Sequence, residues 1–545
     1  MAGHRAAVIW PAPCQEDNVL AMTRASTIAI GALLVLPLAA SSQGPEAATL
    51  RAEVRRYLTA HDVEILRELA DLLAIPNVAS DSANIRANAR HLVAMLERRG
   101  ATARLLESPG SPPAVYGEFA TPGATRTVVF YAHYDGQPVT PEDWTTPPWR
   151  PVLRDRALAD GGREIPFPTV AGTVHGESRI YARSASDDKS PIVAMLRAID
   201  ALRAARTPLS VNLKFFLEGE EEAGSPRLRE MLTRHAHLLR ADVWLFGDGP
   251  VHQSRRQQVV FGVRGVVGAE LTVYGPRRPL HSGHYGNWAP NPAALLATLL
   301  ASMRAPDARI TIAGFYDDVV PITAAEREAL RNAPPVDEAL RRELLLGSTE
   351  GGDATVGEQV MLPALNVRGL RAGAVGATAA NAVPAEARAS LDFRLVDSQR
   401  VERVRELVET HARAQGYHVV HGEPTPEQRL RHARVLRIDW DPGGYPAART
   451  SMTLPVSRAV RRVVEEAVGG PIVAVPTLGG SLPTYLFAEV LRTPLIVLPI
   501  VNHDNSQHAA DENLRLQNLF DGITVYAGVL ARLGLIWEAA GRARF

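Results

Sequence analysis

The sequence predicts an α/β fold, with a central sheet flanked by helices and a smaller α/β sandwich inserted into it. Three observations lead to this prediction. Short apolar segments typical of buried strands alternate with amphipathic segments typical of helices. A second series of strands and helices, with apolar faces of its own, occupies the middle of the chain. Finally, 545 residues are enough for at least two domains.

The first series of predicted strands consists of short apolar runs, each followed by polar residues. They are TVVFYAH (127–133), VNLKFFLE (211–218), DVWLFGD (242–248) and PLIVLPI (494–500). Helical spacing of apolar residues predicts one helix over 53–73 and another around Ile192–Leu202. In α/β folds ligands collect at the carboxyl ends of strands, which is where these polar residues stand.

The second series begins near Gly265. It comprises a strand at 269–275, a helix over 291–303, an alternating strand at 386–396 and a helix over 401–415. The Gly/Pro-rich stretch DPGGYPA (441–447) is predicted to be the return hinge. We therefore predict a larger domain in two parts, residues 50–262 and 445–540, and an inserted domain over 263–440.

Composition excludes some functions and limits the chemistry of others. Lys plus Arg and Asp plus Glu both number 59, so no overall basic charge indicates nucleic-acid binding. The only cysteine is Cys14, so any metal site must use His, Asp and Glu, which suits zinc, manganese or cobalt.

The N-terminus resembles an export signal. Arg24 precedes the apolar run Ile28–Ala40, and small residues follow it. This predicts a signal peptide within residues 1–42, a periplasmic or secreted protein, and no stable membrane insertion after cleavage. An uncleaved anchor is the alternative. Met22 fits as the true start, in which case residues 1–21 are a start-site artefact.

Five clusters of His and acidic residues follow predicted strands or begin helices. They contain His133 and Asp135; Asp187, Asp188 and Lys189; Glu218, Glu220, Glu221 and Glu222; Asp248; and His503 and His508. A metal site explains why carboxylates are massed beside apolar strands. Surface pairs, a helix N-cap at the Asp residues and a solvated acidic loop are the alternatives for single clusters.

The order H-x-D, DDK, EE, D, H resembles the aminoacylase, carboxypeptidase G and carnosinase family of dinuclear zinc exopeptidases. The resemblance covers roughly residues 55–540 and is closest to the carnosinase-like dipeptidase branch. Supporting stretches include GVRG (262–265), PLHSGHYG (279–286), NAVPAEA (381–387) and PTLGGSLP (476–483). It implies a zinc-exopeptidase-type fold whose inserted domain is a lid or dimerisation domain.

The resemblance also implies a role for each matching residue. Asp187 bridges two zinc ions per subunit, with manganese or cobalt possible. The other implied roles are metal ligands at His133, Asp248, Glu222 and His508; a general base at Glu221; a partner of His133 at Asp135; and substrate binding at Asn381, Arg394, Gly480 and Ser481. His281 reaches the active site of a partner subunit in a homodimer. Lys189 is expected beside the acidic ligands.

The implied function is an exported metallohydrolase that cleaves dipeptides or small peptides with a free carboxylate. An N-acyl- or N-carbamoyl-amino-acid amidohydrolase is the alternative within the same chemistry. A non-catalytic binding or dimerisation protein would be expected to have lost a ligand or the base, and all six positions carry suitable residues. A serine hydrolase using Ser481 lacks the G-x-S-x-G motif.

Overall fold

The computed structural model describes residues 45–537 of the chain. Cys14 and the predicted export segment Ile28–Ala40 lie outside the described residues. The elements up to residue 263 are α1 (Pro45–Leu73), α2 (Ser82–Glu97), β1 (Thr102–Leu106), β2 (Ala114–Phe119), β3 (Thr127–His133), β4 (Val152–Arg154), β5 (Glu164–Ile165), β6 (Arg179–Tyr181), α3 (Lys189–Ala204), β7 (Asn212–Glu218), α4 (Leu228–His235), β8 (Val243–Phe246), β9 (Gln258–Val260) and β10 (Gly262–Val263).

The remaining elements fall into two groups. Up to residue 440 they are β11 (Gly265–Tyr274), β12 (Leu280–His281), α5 (Ser282–Tyr285), α6 (Pro292–Met303), α7 (Ala324–Asn332), α8 (Asp337–Glu343), α9 (Val356–Val360), β13 (Ala364–Arg371), β14 (Ala382–Val383), β15 (Glu386–Leu395), α10 (Val401–Ala414), β16 (His418–Val420), α11 (Pro426–Arg431) and β17 (Val435–Trp440). After it they are β18 (Ala448–Arg449), α12 (Pro455–Val468), β19 (Val473–Val475), α13 (Tyr485–Leu491), β20 (Leu495–Val497), β21 (Asn513–Arg515) and α14 (Leu516–Ile536).

The central sheet has the strand order β1-β2-β7-β3-β8-β20-β9-β19. Strand β3 runs parallel to β7 and β8, and β8 runs parallel to β20. Helices α1, α3, α12 and α14 pack on one face, while α4 and α13 cover the other. Covering both faces explains why these strands are almost continuously apolar. The parallel arrangement brings the carboxyl ends of β3, β7, β8 and β20 to one edge.

Helix α14 lies in the core of this layer. It is apolar and long enough to cross a membrane by length and composition, but 67% of its most apolar window is buried inside the fold. It packs against α3 and α12. Its apolar character is therefore explained by packing.

The second sheet has the order β13-β15-β11-β17-β16, and α6 and α10 pack against it around a core of its own. Strands β19 and β20 of the central sheet follow this sheet in the sequence, so the smaller α/β sandwich is an insertion. This confirms the predicted fold class. The domain boundaries at residues 263 and 440 stay a prediction.

Strands β4, β5 and β6, all between β3 and α3, form a small antiparallel sheet with β21 from the C-terminal part of the chain, in the order β21-β6-β4-β5. Strand β6 leads into the loop 182–188, which ends at the start of α3. This sheet holds the loop with Asp187 over the carboxyl edge of the central sheet, because β21 joins it to the segment that follows His508.

Candidate active site

Two groups of His and acidic side chains meet at the carboxyl edge of the central sheet. In each group one ligand atom per residue lies within 4.8 Å of the others. The groups are His133, Asp187 and Asp248, and Asp187, Glu222 and His508. These are the five residues for which metal binding is predicted, and Asp187 belongs to both groups. His503, the other histidine of the fifth cluster, is in neither group.

The two carboxylate oxygens of Asp187 face different groups. Its Oδ1 lies 2.9 Å from Nε2 of His133, and its Oδ2 lies 3.0 Å from Nε2 of His508. The same nitrogen of His508 is 3.2 Å from Oε2 of Glu222. This is the arrangement that a carboxylate shared between two cations requires.

The charges of the site favour cation binding. Burial raises the pKa of Asp248 to about 7, and the charge of Asp187 adds to the effect. Hydrogen bonds to Asp187 and Glu222 raise the pKa of His508 to about 10. Buried carboxylates crowded in this way need positive charge to remain ionised. The imidazole and carboxylate donors, without sulfur, suit zinc, manganese or cobalt.

Glu221 stands beside the first group without belonging to either. Its Oε2 lies 4.0 Å from Nε2 of His133, and its side chain is 13% exposed. Burial is the main cause that raises the pKa of Glu221 well above its ordinary value. A carboxylate with a raised pKa, adjacent to the proposed metal ligands, is suited to accepting and returning a proton.

Asp135 connects two strand ends. Its Oδ1 lies 3.4 Å from Nδ1 of His133, its predicted partner, and its backbone carbonyl oxygen is hydrogen-bonded to the same nitrogen at 3.2 Å. Its two oxygens also accept the backbone N–H groups of Glu221 and Glu222, at 3.1 and 3.0 Å. It therefore orients a residue of the first group and the loop of the second.

Three polar residues contact the site but were not among the predicted site residues. Gln137 donates from Nε2 to Glu222 at 2.7 Å, and Gln507 donates from Nε2 to Asp187 at 2.7 Å. Glu512 accepts the backbone N–H of Asp187 at 2.9 Å. The sequence indicates the two glutamines only by their positions, since Gln137 is close to Asp135 and Gln507 is next to His508. Neutral amides add nothing to a pattern of charged residues.

Lys189 is not beside the acidic ligands, contrary to expectation. It is fully buried, and its Nζ donates to the carbonyl oxygens of Leu72 and Ile75, both at 2.9 Å. Burial lowers the pKa of Lys189 well below its ordinary value. The ammonium caps the carboxyl end of α1, where helix carbonyls lack partners.

The predicted substrate-binding residues form two separate sets. Nη1 of Arg394 donates to Oγ of Ser481 at 2.9 Å, and Gly480 is adjacent in the same loop. Asn381 lies instead beside His281, because its carbonyl oxygen accepts the N–H of Ser282 at 2.8 Å.

His281 is exposed on the inserted unit. Its Nδ1 accepts the N–H of Gly283, and its ring lies 4.5 Å from that of His284. Among residues 45–537, no hydrogen bond or ion pair joins the His281 side chain to either group of candidate metal ligands of its own chain.

Comparison with known proteins gives consistent matches along most of the chain. The model of "Peptidase family M20/M25/M40" matches residues 129–532. The Cys-Gly metallodipeptidase of Schizosaccharomyces pombe is 25% identical over 431 residues, 78% of this chain and 83% of that protein. The human Beta-Ala-His dipeptidase is 25% identical over 551 residues, 94% and 98% of the two chains. An M20 family metallo-carboxypeptidase from Sulfolobus solfataricus superposes with a TM-score of 0.69 and 28% identity, covering 87% of this chain and 99% of that chain.

The prediction of a periplasmic or secreted location is wrong by the same comparison. The Cys-Gly metallodipeptidases of yeasts, which match most of the chain, are cytosolic enzymes. The apolar run on which the prediction depends lies outside the described residues.

Proposed function

Because the chain belongs to the peptidase family M20/M25/M40, a family of metallopeptidases, we propose that it hydrolyses dipeptides and other small peptides with a free carboxylate. The observation that carries the proposal is the position of Asp187 between two groups of candidate metal ligands. The named substrates of the relatives, Cys-Gly and Beta-Ala-His, support dipeptides as the substrate class.

The proposed cofactor is a pair of zinc ions, with manganese and cobalt as the other metals that suit these donors. His133 and Asp248 would hold one ion, Glu222 and His508 the other, and Asp187 both. When bound, the ions supply electrostatic stabilisation of the transition state and activation of the attacking water.

Glu221 is the proposed general base. It would take the proton of the attacking water and return it to the leaving nitrogen, so that one carboxylate serves both proton transfers. Burial of Glu221 next to His133 supports this role, because a raised pKa favours uptake of the proton.

Arg394 and Ser481 are the proposed site for the carboxylate of the substrate. A guanidinium can grip a carboxylate with two parallel hydrogen bonds, and the hydroxyl of Ser481 already lies on Nη1 of Arg394. The adjacent Gly480 and the more distant Asn381 would contact the backbone of the substrate. Because the substrate carboxylate would be fixed at Arg394 and Ser481, cleavage would be limited to the peptide bond at the end of the substrate.

A homodimer is proposed to complete the site through His281. The exposure of His281 supports action on a partner subunit, where it would stabilise the developing oxyanion. Strand β13 is an edge of its sheet, and Val367 and Leu370 on it are 46% and 60% exposed. Such an edge is suited to pairing with a second copy.

Metal analysis combined with a substrate panel tests the central proposal. The purified protein should contain two metal ions per chain and should hydrolyse dipeptides faster than N-acyl or N-carbamoyl amino acids. Glu221→Gln should lose activity by about 1,000-fold or more while keeping its metal. Glu343→Gln, at an exposed position of α8, is the control. Metal-free protein or full activity of Glu221→Gln would overturn the proposal.

Mixing two inactive variants tests the role of His281. His281→Ala and Glu221→Ala should each be inactive, and subunit exchange should create mixed dimers with one intact site. Statistical mixing would restore about one quarter of the wild-type activity. If tagged subunits exchange and no activity returns, His281 does not act on the partner subunit.

A further inference from the structure

Three residues, Arg394, Val266 and Tyr445, lie side by side on adjacent strands where the inserted domain joins the larger domain. Val266 in β11 is paired with Arg394 in β15. On its other side Val266 exchanges two backbone hydrogen bonds with Tyr445, at 2.9 and 2.8 Å. Residues directly opposite in antiparallel strands share a face of the sheet. Tyr445 therefore lies on the same face as Arg394, with only Val266 between them.

Tyr445 is stacked on Tyr485, with ring centroids 5.6 Å apart and planes 10° from parallel. Tyr485 begins α13, directly after the loop that carries Ser481. The guanidinium of Arg229 lies over the Tyr485 ring at 5.8 Å. The aromatic pair is thus fixed to the same loop that contacts Arg394.

Charges of the candidate active site act on the phenol of Tyr445. Burial raises the pKa of Tyr445, the carboxylate of Glu221 raises it further, and the guanidinium of Arg394 lowers it. The hydroxyl has no hydrogen-bond partner within the part of the chain that the structure describes. The charges of Glu221 and Arg394 therefore both influence Tyr445, and its hydroxyl is left without a hydrogen bond within residues 45–537.

The C-terminal residue of a dipeptide would occupy this space. Its nitrogen belongs to the bond being cleaved, next to Glu221, and its carboxylate would lie on Arg394. The Cα of this residue would therefore lie between Glu221 and Arg394, and its side chain would point toward the residues beside them. Aromatic rings prefer apolar and aromatic neighbours, which they contact by stacked or edge-to-face packing.

We propose that Tyr445 and Tyr485 form the wall of the pocket for the C-terminal residue and select dipeptides in which that residue is aromatic or a large aliphatic one. The inference deepens the proposed function and rests on it. It assigns Tyr445, in the segment predicted only as a return hinge, to substrate specificity.

A comparison of Ala-Phe, Ala-Leu and Ala-Gly tests the inference through kcat/KM. The wild type should prefer the first two over Ala-Gly by about tenfold or more, the effect of one well-packed aromatic contact. Tyr445→Ala should reduce that preference to within about threefold, whereas Tyr445→Phe, which keeps the ring, should retain it. Tyr57→Ala is the matched control, since Tyr57 is also half-buried and is stacked on His61 at 4.4 Å, in α1.

Calorimetric binding provides a second measurement in the Glu221→Gln background, in which peptides should bind without being cleaved. Ala-Phe should bind more tightly than Ala-Gly, and adding Tyr445→Ala should remove the difference. If Tyr445→Ala does not fold, Tyr445→Gln replaces it with the same expectation. Dipeptide cleavage without any preference, or a preference that survives loss of the ring, would overturn the inference alone. Absence of cleavage of every dipeptide by metal-loaded wild type would instead overturn the proposed function.

Discussion

The carboxylate of Asp135 accepts the backbone N–H of Glu221 at 3.1 Å. Its other oxygen accepts the N–H of Glu222 at 3.0 Å. Asp135 follows β3, whereas the two glutamates follow β7, so this buried carboxylate joins two neighbouring strand ends. It sets the backbone turn that holds the proposed base beside a proposed metal ligand.

Asp135→Asn should separate this role from simple packing. Asparagine has nearly the same shape but only one acceptor oxygen, so one of the two backbone N–H groups loses its partner. We expect kcat to fall by roughly 10–100-fold, with weaker metal retention on dialysis. Asp160→Asn, at an exposed position, should change neither quantity. Wild-type kcat and metal content in Asp135→Asn would contradict this account.

Glu512 stabilises the loop that presents Asp187. One of its oxygens accepts from the backbone N–H groups of Ser186 and Asp187, and the other accepts from the N–H of Ser184 and from Arg183. In Glu512→Gln the NH2 group of the amide would face N–H donors that now bind a carboxylate oxygen, so their hydrogen bonds would be lost. We expect the free energy of unfolding to fall by about 2–4 kcal/mol. Denaturant unfolding measures this, with the exposed Glu97→Gln as control; an unchanged midpoint would contradict it.

Glu218 should make stability depend on pH. Burial raises the pKa of Glu218 to about 7, and the hydroxyl of Tyr131 donates to it at 2.7 Å. In the unfolded chain the carboxyl ionises near pH 4.5, so ionisation favours unfolding between about pH 4.5 and 7. The folded state thus loses stability as pH rises through this window. The loss is complete above the folded pKa.

Glu218→Gln removes this titration, because the amide resembles the protonated carboxyl. Relative to the wild type, the variant should gain about 1–3 kcal/mol on going from pH 5 to pH 8. Unfolding is best followed with a chelator present, so that cations do not change the ionisation of Glu218. Parallel pH profiles for the two proteins would show that Glu218 does not titrate in this range.

The strands and the candidate metal-binding groups are predictable from the sequence for a physical reason. Strand β3 spans Thr127–His133, as predicted, because a strand buried on both faces is a continuous apolar run that ends at its first polar residue. Charged residues rarely have a structural role directly after such runs, and both groups of candidate metal ligands consist of residues that the sequence singles out. Helix α1 begins earlier than predicted, at Pro45, since its exposed charged positions dilute the apolar pattern.

Long-range contacts were not predictable in this way. Lys189 is next to an acidic residue in the sequence, yet its ammonium contacts the end of α1. The position of Tyr445 depends on β11 pairing with segments more than a hundred residues away. Local periodicity contains no information about such pairings, and neutral groups such as Gln507 add no charge pattern.

Arg394 is proposed to recognise the carboxylate of the substrate. Its Nε donates to Asp392 at 3.0 Å and its Nη1 to Ser481 at 2.9 Å, so the planar guanidinium is held in one orientation. Lysine keeps the charge but cannot make the two parallel hydrogen bonds. Arg394→Lys should therefore raise KM by roughly 10–100-fold and change kcat less.

The comparison of a dipeptide with its C-terminal amide makes this prediction specific. The wild type should cleave the amide poorly, because the amide cannot accept two hydrogen bonds from a guanidinium. Arg394→Lys should discriminate far less between the dipeptide and its amide, because the variant loses activity mainly on the dipeptide with the free carboxylate. Arg388→Lys, at an exposed position of the same strand, should keep the wild-type ratio. A wild-type ratio in Arg394→Lys would mean that another group holds the carboxylate.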